Sequence, residues 1–222
     1  LGRPLGAWRA FLGLRRSWLS REIVIFGAFA GLAAPYTALG FLPALPPAIE
    51  ALLATGTVLA GLLGVLCSVM IYHDTQRPFW RFSISAVKFF GTTCGLALAA
   101  YLAVDSVVAQ VAVPPLGLAT LMLLLGLKCA LESVQLCAAK QTQRSPAQKS
   151  ALLMLRPLWA VTLGRFICGL LGLLVFAAAC FAAWPNWLPV LGLLLLLAGE
   201  LLERVLFFKA VAAPKMPGAF LS

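Results

Sequence analysis

The sequence predicts an all-α polytopic membrane protein, a bundle of six transmembrane helices forming one anchor domain over residues 1–222. Three observations predict it. The 222 residues are 62% hydrophobic and only 11% charged, where soluble domains carry about 25% charged residues. The apolar residues fall in continuous runs of about 20, the length that spans a bilayer as a helix, and not in the short alternating segments of a β-barrel. The cations sit at every second connection between those runs. Mean hydropathy is +0.99. In this setting a net charge of +10 speaks of topology and lipid, and no nucleic-acid partner is expected.

The elements follow in order. The first span is expected over 23–41, ended by Pro43, Pro46 and Pro47, and the second over 48–72. The polar, aromatic and basic stretch Tyr72–Arg81 comes next and holds His73, the sole histidine. The third span is expected over 84–104, with Asp105 at its far end. Pro114-Pro115 opens the fourth, 116–139. Lys140–Lys149 reads as a polar loop. The fifth span, 158–183, is joined to the sixth, 188–208, by Trp184-Pro185-Asn186-Trp187, an interfacial turn with aromatic-belt character. Leu1-Gly2-Arg3-Pro4 has neither an initiator Met nor a signal-peptide pattern, so a further N-terminal part is expected.

Charge orients the spans. Arg3, Arg9, Arg15, Arg16 and Arg21 precede the first; Arg77, Arg81 and Lys88 surround the second connection. Lys140, Arg144, Lys149 and Arg156 follow the fourth span, and Arg204, Lys209 and Lys215 lie at the end. The other connections carry no Lys or Arg. The positive-inside rule makes the basic face and the C-terminus cytoplasmic. A basic face that docks an acidic partner would give the same pattern.

Ionisable residues inside spans need a partner or a task. Lys128 and Glu132 share a helix face at i, i+4, as do Glu200 and Arg204, and Arg165 lies about two turns into its span. One reading is structural, with Arg165 neutralising Glu132 or Glu200; the other is a polar pocket or proton route. Glu22, after Ser20 and Arg21, is either a dipole-favoured carboxylate behind a Ser20 cap or a working acid. His73 and Asp74 form either an interfacial hydrogen-bonded pair or part of a site. Gly27/Gly31 and Gly91/Gly95 are G-x-x-x-G pairs that permit close helix approach. The six cysteines lie in apolar runs without metal-ligand spacing and read as small buried hydrophobes. One histidine falls short of a bis-histidine haem, so neither haem nor metal is expected on this chain, and no Walker motif is present.

Several of these stretches, taken together, resemble one family. They are Leu1-Gly2-Arg3-Pro4 with Arg9-Ala10, Ser17-Trp18-Leu19-Ser20-Arg21-Glu22-Ile23, Tyr72-His73-Asp74-Thr75 with Pro78 and Trp80, and Gly199-Glu200-Leu201-Leu202-Glu203-Arg204 ahead of Pro214-Lys215-Met216-Pro217-Gly218. In this order they resemble the membrane anchor subunit of dimethyl sulfoxide reductase-type molybdoenzymes. The resemblance implies a complex in the prokaryotic cytoplasmic (inner) membrane, with a molybdopterin catalytic subunit and an iron–sulfur subunit that holds four [4Fe-4S] clusters. The anchor exchanges electrons with a quinol pool, menaquinol by expectation, without haem. Family members have eight spans, which implies two further spans upstream. The family's quinol-linked histidine falls upstream of Leu1, so its role does not pass to His73. The family's acidic residue maps onto Glu22. Quinol binding or proton acceptance is thus expected around Glu22, Ser20, Arg21, His73 and Asp74. Partner docking is expected at Arg77, Trp80 and Arg81, and a polar network at Lys128, Glu132, Arg165, Glu200 and Arg204. The competing readings are a small transporter or channel that uses the intramembrane charges, and a purely structural membrane protein.

Overall fold

A computed structural model describes residues 13–38, 46–140, 145–181 and 185–212. Leu1–Pro4, Arg9, Pro43, Arg144, Trp184 and the Pro214–Gly218 motif lie outside the described residues. Seven α-helices run in order among the described residues, with no strand: α1 Trp18–Ala38, α2 Pro47–His73, α3 Phe82–Val108, α4 Pro115–Cys137, α5 Pro146–Leu155, α6 Trp159–Phe181 and α7 Leu188–Lys209. Proline sets several starts: Pro47, Pro115, Pro146 and Pro189 occupy first-turn positions, where the absent N–H has no intrahelical acceptor to lose.

Four helical stretches are long and apolar enough to cross a membrane: Pro47–His73, Phe82–Val108, Pro115–Lys140 and Trp159–Phe181. The expectation of six spans is therefore met by four on length and apolarity. The other two long helices are α1 with 21 residues, which includes Arg21 and Glu22, and α7 with 22, which includes Glu200, Glu203 and Arg204 close together. The polar loop expected over 140–149 is also shorter than the sequence suggests, because α5 begins inside it. Ser145 Oγ accepts from Gln148 N at 3.1 Å and caps that helix, and Pro157 separates it from α6.

The chain divides into two compact units, residues 1–76 with 80–90, and residues 77–79 with 91–222. The first is built on an antiparallel pair, α1 and α2. Its interface is a ladder in which side chains of α1 lie over glycines of α2. A Cβ on Gly64 would meet the Phe26 ring at 2.7 Å, one on Gly61 the Phe29 ring at 3.3 Å, and one on Gly56 Leu32 at 3.3 Å. Gly27 and Gly31, by contrast, are exposed and have no neighbour within 4 Å, so the first G-x-x-x-G pair makes no helix contact among the described residues.

The second unit is organised around a second antiparallel pair, α6 and α7. Here the backbones themselves come close: a Cβ on Gly172 would lie 2.7 Å from Leu196 and 3.1 Å from the carbonyl oxygen of Gly192. Its apolar core comprises Ala99, Leu102, Val113, Leu118, Leu121, Leu125, Phe176, Ala179 and Leu196. The outward faces are strongly apolar, with Leu116 and Phe181 each 79% exposed, as lipid-facing surfaces require. Of the cysteines only Cys67 is buried; Cys94 and Cys137 are exposed and all six are free. An apolar side chain in a membrane helix gains as much facing lipid as facing protein, so the expectation of six buried thiols does not follow.

Candidate functional site

The polar residues gather at the open end of each helix pair, away from the segment that joins its two helices. In the first unit the ladder continues by one turn in both helices, from Phe26 to Glu22 and from Gly64 to Ser68. There the buried Ser68 hydroxyl donates to Glu22 Oε1. Glu22 Oε2 takes no protein hydrogen bond among the described residues. Ser68 Oγ also lies 3.3 Å from the carbonyl oxygen of Gly64, one turn back on its own helix.

The residues flanking Glu22 are engaged elsewhere. The helix begins at Trp18, and its cap is Ser17, whose Oγ accepts from Ser20 N at 3.4 Å. Ser20 is thus in the first turn and is not the N-cap, and Glu22 lies one turn in. Arg21 folds back: its Nε donates to Leu14 O at 2.8 Å and its Nη2 to Arg15 O at 3.3 Å, with the guanidinium 4.2 Å from the Trp18 ring. His73 ends α2, its ring edge-on to Phe82 at 6.0 Å. Asp74 is exposed and serves as the C-cap, with its backbone N–H on Met70 O.

The stretch after His73 is fixed by turn chemistry and aromatic contacts. Thr75 Oγ1 donates to Tyr72 O at 2.7 Å, Gln76 adopts φ 55°, and Pro78–Trp80 forms a 3-10 turn. Tyr72 meets Trp80 edge-on at 5.2 Å and Phe89 at 5.5 Å. Trp80 and Arg77 are half-buried, and Arg81 is exposed just before α3.

In the second unit the buried stripe of α4 passes from Leu118, Leu121 and Leu125 into Lys128 and Glu132. Lys128 does not pair with Glu132 on its own helix. It reaches Glu200 of α7 in a short salt bridge and Glu203 at 3.8 Å. Glu132 is met by Arg165 of α6 at 3.3 Å, and the same Nη2 lies 3.1 Å from Glu200 Oε1. Arg204 Nε approaches Glu203 at 3.9 Å. Thr92 joins the group: its Oγ1 accepts from Lys128 Nζ at 2.7 Å and Arg204 Nη2 at 3.2 Å, and donates to Glu200. One hydroxyl donor and two lone pairs are thereby all used. Lys128, Arg165 and Arg204 balance Glu132, Glu200 and Glu203, and all but Arg204 are buried. Each of the six charges has an opposite charge within 3.9 Å, as burial demands, while Arg165 Nε and Glu200 Oε1 make no hydrogen bond among the described residues.

Sequence reasoning missed Ser68, Thr92 and the burial of Lys88, and set Glu203 beside Glu200 and Arg204 without giving it a role. Ser68 and Thr92 sit in apolar runs where a hydroxyl resembles helix filler, and Lys88 reads as one more cation near a basic loop. Among the described residues no group of three or more His, Cys, Asp or Glu side chains is placed to hold a metal ion.

The comparisons with known proteins fit this architecture. The chain is similar to a sulfite dehydrogenase subunit of Allochromatium vinosum, at 33% identity over 113 residues, which cover 45% of this chain and 35% of that protein. The chain thus spans only about a third of the length of the curated relative it matches. No solved structure matches it. Residues 1–209 match the family described as the DMSO reductase anchor subunit (DmsC), and with apolar helices that cross a membrane several times the chain belongs to that family.

Proposed function

We propose that this chain is the membrane anchor of a molybdopterin and iron–sulfur oxidoreductase, and that it binds a quinol and passes its electrons to a docked subunit with four [4Fe-4S] clusters. Family membership supports the anchor role, and the relative named as a sulfite dehydrogenase subunit supports an oxidoreductase complex. In this reading α1 and α7 span the membrane along with the four more apolar helical stretches, and the basic face is cytoplasmic. Both helices have the length: 21 and 22 residues at about 1.5 Å each cover a hydrocarbon core of about 30 Å.

One observation carries the quinol reading. Among the described residues Glu22 is held by one oxygen, and the other takes no hydrogen bond from the protein. Quinol oxidation releases protons, which need an acceptor within hydrogen-bond reach of the hydroxyl, and a carboxylate fixed on a helix supplies one. The buried charges of the second unit offer no comparable acceptor, because their carboxylates are already committed to cations. That commitment also counts against a transport path through Lys128, Glu132, Arg165 and Glu200.

Glu22→Gln keeps the size and hydrogen-bonding capacity of the side chain and removes the base. The expected outcome is a complex that assembles in membranes normally but loses quinol-dependent cluster reduction by about 100-fold or more, the scale of a general base. Normal turnover would remove Glu22 from the mechanism. Arg77, Trp80 and Arg81 are the proposed docking residues, and Arg81 is exposed. Arg81→Glu is expected to release a substantial fraction of the iron–sulfur and molybdopterin subunits from washed membranes; unchanged retention would put the docking surface elsewhere.

A further inference from the structure

We infer that Ser68 is the positioning residue for Glu22, a hydroxyl that serves the carboxylate both before and after it takes a proton. The inference rests on the proposed role of Glu22 toward quinol and deepens it.

The argument starts from the two acceptors around one hydroxyl. Ser68 Oγ stands between Glu22 Oε1, to which it donates, and the carbonyl oxygen of Gly64 at 3.3 Å. A hydroxyl has one donor and two lone pairs and turns about its C–O bond. With Glu22 ionised, the Ser68 hydrogen points to the carboxylate. When a quinol hydroxyl gives its proton to Glu22, the quinol O–H bond breaks and a carboxyl O–H bond forms. The products are the quinol monoanion and a neutral Glu22, so charge and atoms balance. The proton lands on Oε2, the oxygen Ser68 does not hold, and Ser68 goes on donating to Oε1, now the carbonyl oxygen of the acid. When the carboxyl group turns over and brings its O–H toward Ser68, the hydroxyl accepts from it and turns its own hydrogen to Gly64 O. Neither state leaves a buried polar group without a partner, so neither incurs the penalty of an unmade hydrogen bond.

The surroundings fix this geometry. Ser68 is 8% exposed, so water does not readily replace it. The next turn of the interface is the tight Phe26–Gly64 contact, which sets the distance between the helices where Glu22 and Ser68 meet. Gly64 therefore acts twice, through its missing side chain toward Phe26 and through its carbonyl toward Ser68.

The test is a double-mutant cycle on the whole complex in membranes, driven by a reduced short-chain menaquinol analogue and read as cluster reduction per assembled complex. Ser68→Ala is expected to lower kcat about tenfold or more with little change in KM, the scale of one hydrogen bond to a charged group. Ser68→Thr, which restores a hydroxyl able to reach the i−4 carbonyl, is expected to return most of the rate. In the Glu22→Gln background Ser68→Ala is expected to add little, since it acts through Glu22. An equal further loss in that background would overturn the inference and mark Ser68 as generally structural. If Glu22→Gln is slow while Ser68→Ala is fast, the inference fails and the role of Glu22 stands. If Glu22→Gln itself turns over normally, the reading beneath it fails. Should Ser68→Ala not assemble, Ser68→Cys, a poor donor of similar shape, is compared with Ser68→Thr. Equal wild-type rates for both would overturn the inference; a slow Cys variant beside a fast Thr variant would support it.

Discussion

The two antiparallel helix pairs solve the same packing problem and differ at their polar ends. Both use glycine to bring helices together: Gly56, Gly61 and Gly64 beneath α1 in the first unit, Gly172 facing Gly192 in the second. In lipid, where apolar surface gains nothing by leaving solvent, such close approach is a principal source of cohesion. At the open end of the first pair stands one carboxylate with one hydroxyl partner among the described residues, and its second oxygen takes no hydrogen bond from them. At the open end of the second stands a balanced set of three cations and three carboxylates, with Thr92 threaded through it. A carboxylate with one hydroxyl partner can meet a substrate; charges set against opposite charges on other helices hold those helices together. Under the proposed function the contrast separates a working end from a locking end.

The largest expected effect tests the lock. Arg165→Met removes the cation shared by Glu132 and Glu200, leaving two buried carboxylates short of a partner. Breaking a buried pair in this way costs about 3–5 kcal/mol. The expected result is a steep fall in the amount of folded chain in membranes and in its thermal midpoint in mild detergent. Adding Glu132→Gln, which removes one stranded charge, is expected to recover part of the loss. If Arg165→Met accumulates normally and instead slows quinol turnover, the locking end takes part in the chemistry and the contrast collapses.

Much of this contrast was legible in the sequence, and the illegible parts share a cause. Continuous apolar runs and prolines at Pro47, Pro115 and Pro189 point to the helices, because backbone in lipid has few options. The intramembrane charges announce themselves by type, and the reading of Arg165 offered Glu132 or Glu200 as its partner; the structure gives it both. Spacing put Lys128 and Glu132 on one helix face without giving Lys128 a partner. Lys128 and Glu132 are four residues apart, yet both face inward and reach other helices, where buried charges find closer partners than their own surface neighbours. Ser68 and Thr92 were invisible because a hydroxyl in an apolar run gains its meaning only from what crosses to meet it. The start of α5 did carry a signal, Ser145-Pro146 followed by Gln148, a capping pattern hidden within a loop-like composition. The difference between six spans and four comes from charge that the sequence already shows: Arg21 and Glu22 in α1, and Glu200, Glu203 and Arg204 in α7, make these two helices less apolar.

The smallest effect comes from glycine, and it sharpens the comparison by using one substitution at two places. Gly172→Val places a branched side chain where even a Cβ would lie 2.7 Å from Leu196 and 3.1 Å from the Gly192 carbonyl. The side chain can shift but the backbone oxygen cannot do so cheaply, and overpacking of this kind costs about 1–3 kcal/mol. Gly31→Val meets nothing within 4 Å and is expected to change stability by less than about 0.5 kcal/mol. Thermal midpoints of the two variants in the same detergent read the difference directly. Were Gly31→Val as damaging as Gly172→Val, the outward face of α1 would be covered in the assembled protein, and the first helix pair would owe its stability to a neighbour as well as to its own glycine ladder. A silent Gly31→Val would instead leave that face to lipid and make the pair self-sufficient, so that Glu22 and Ser68 are held in register by α1 and α2 alone.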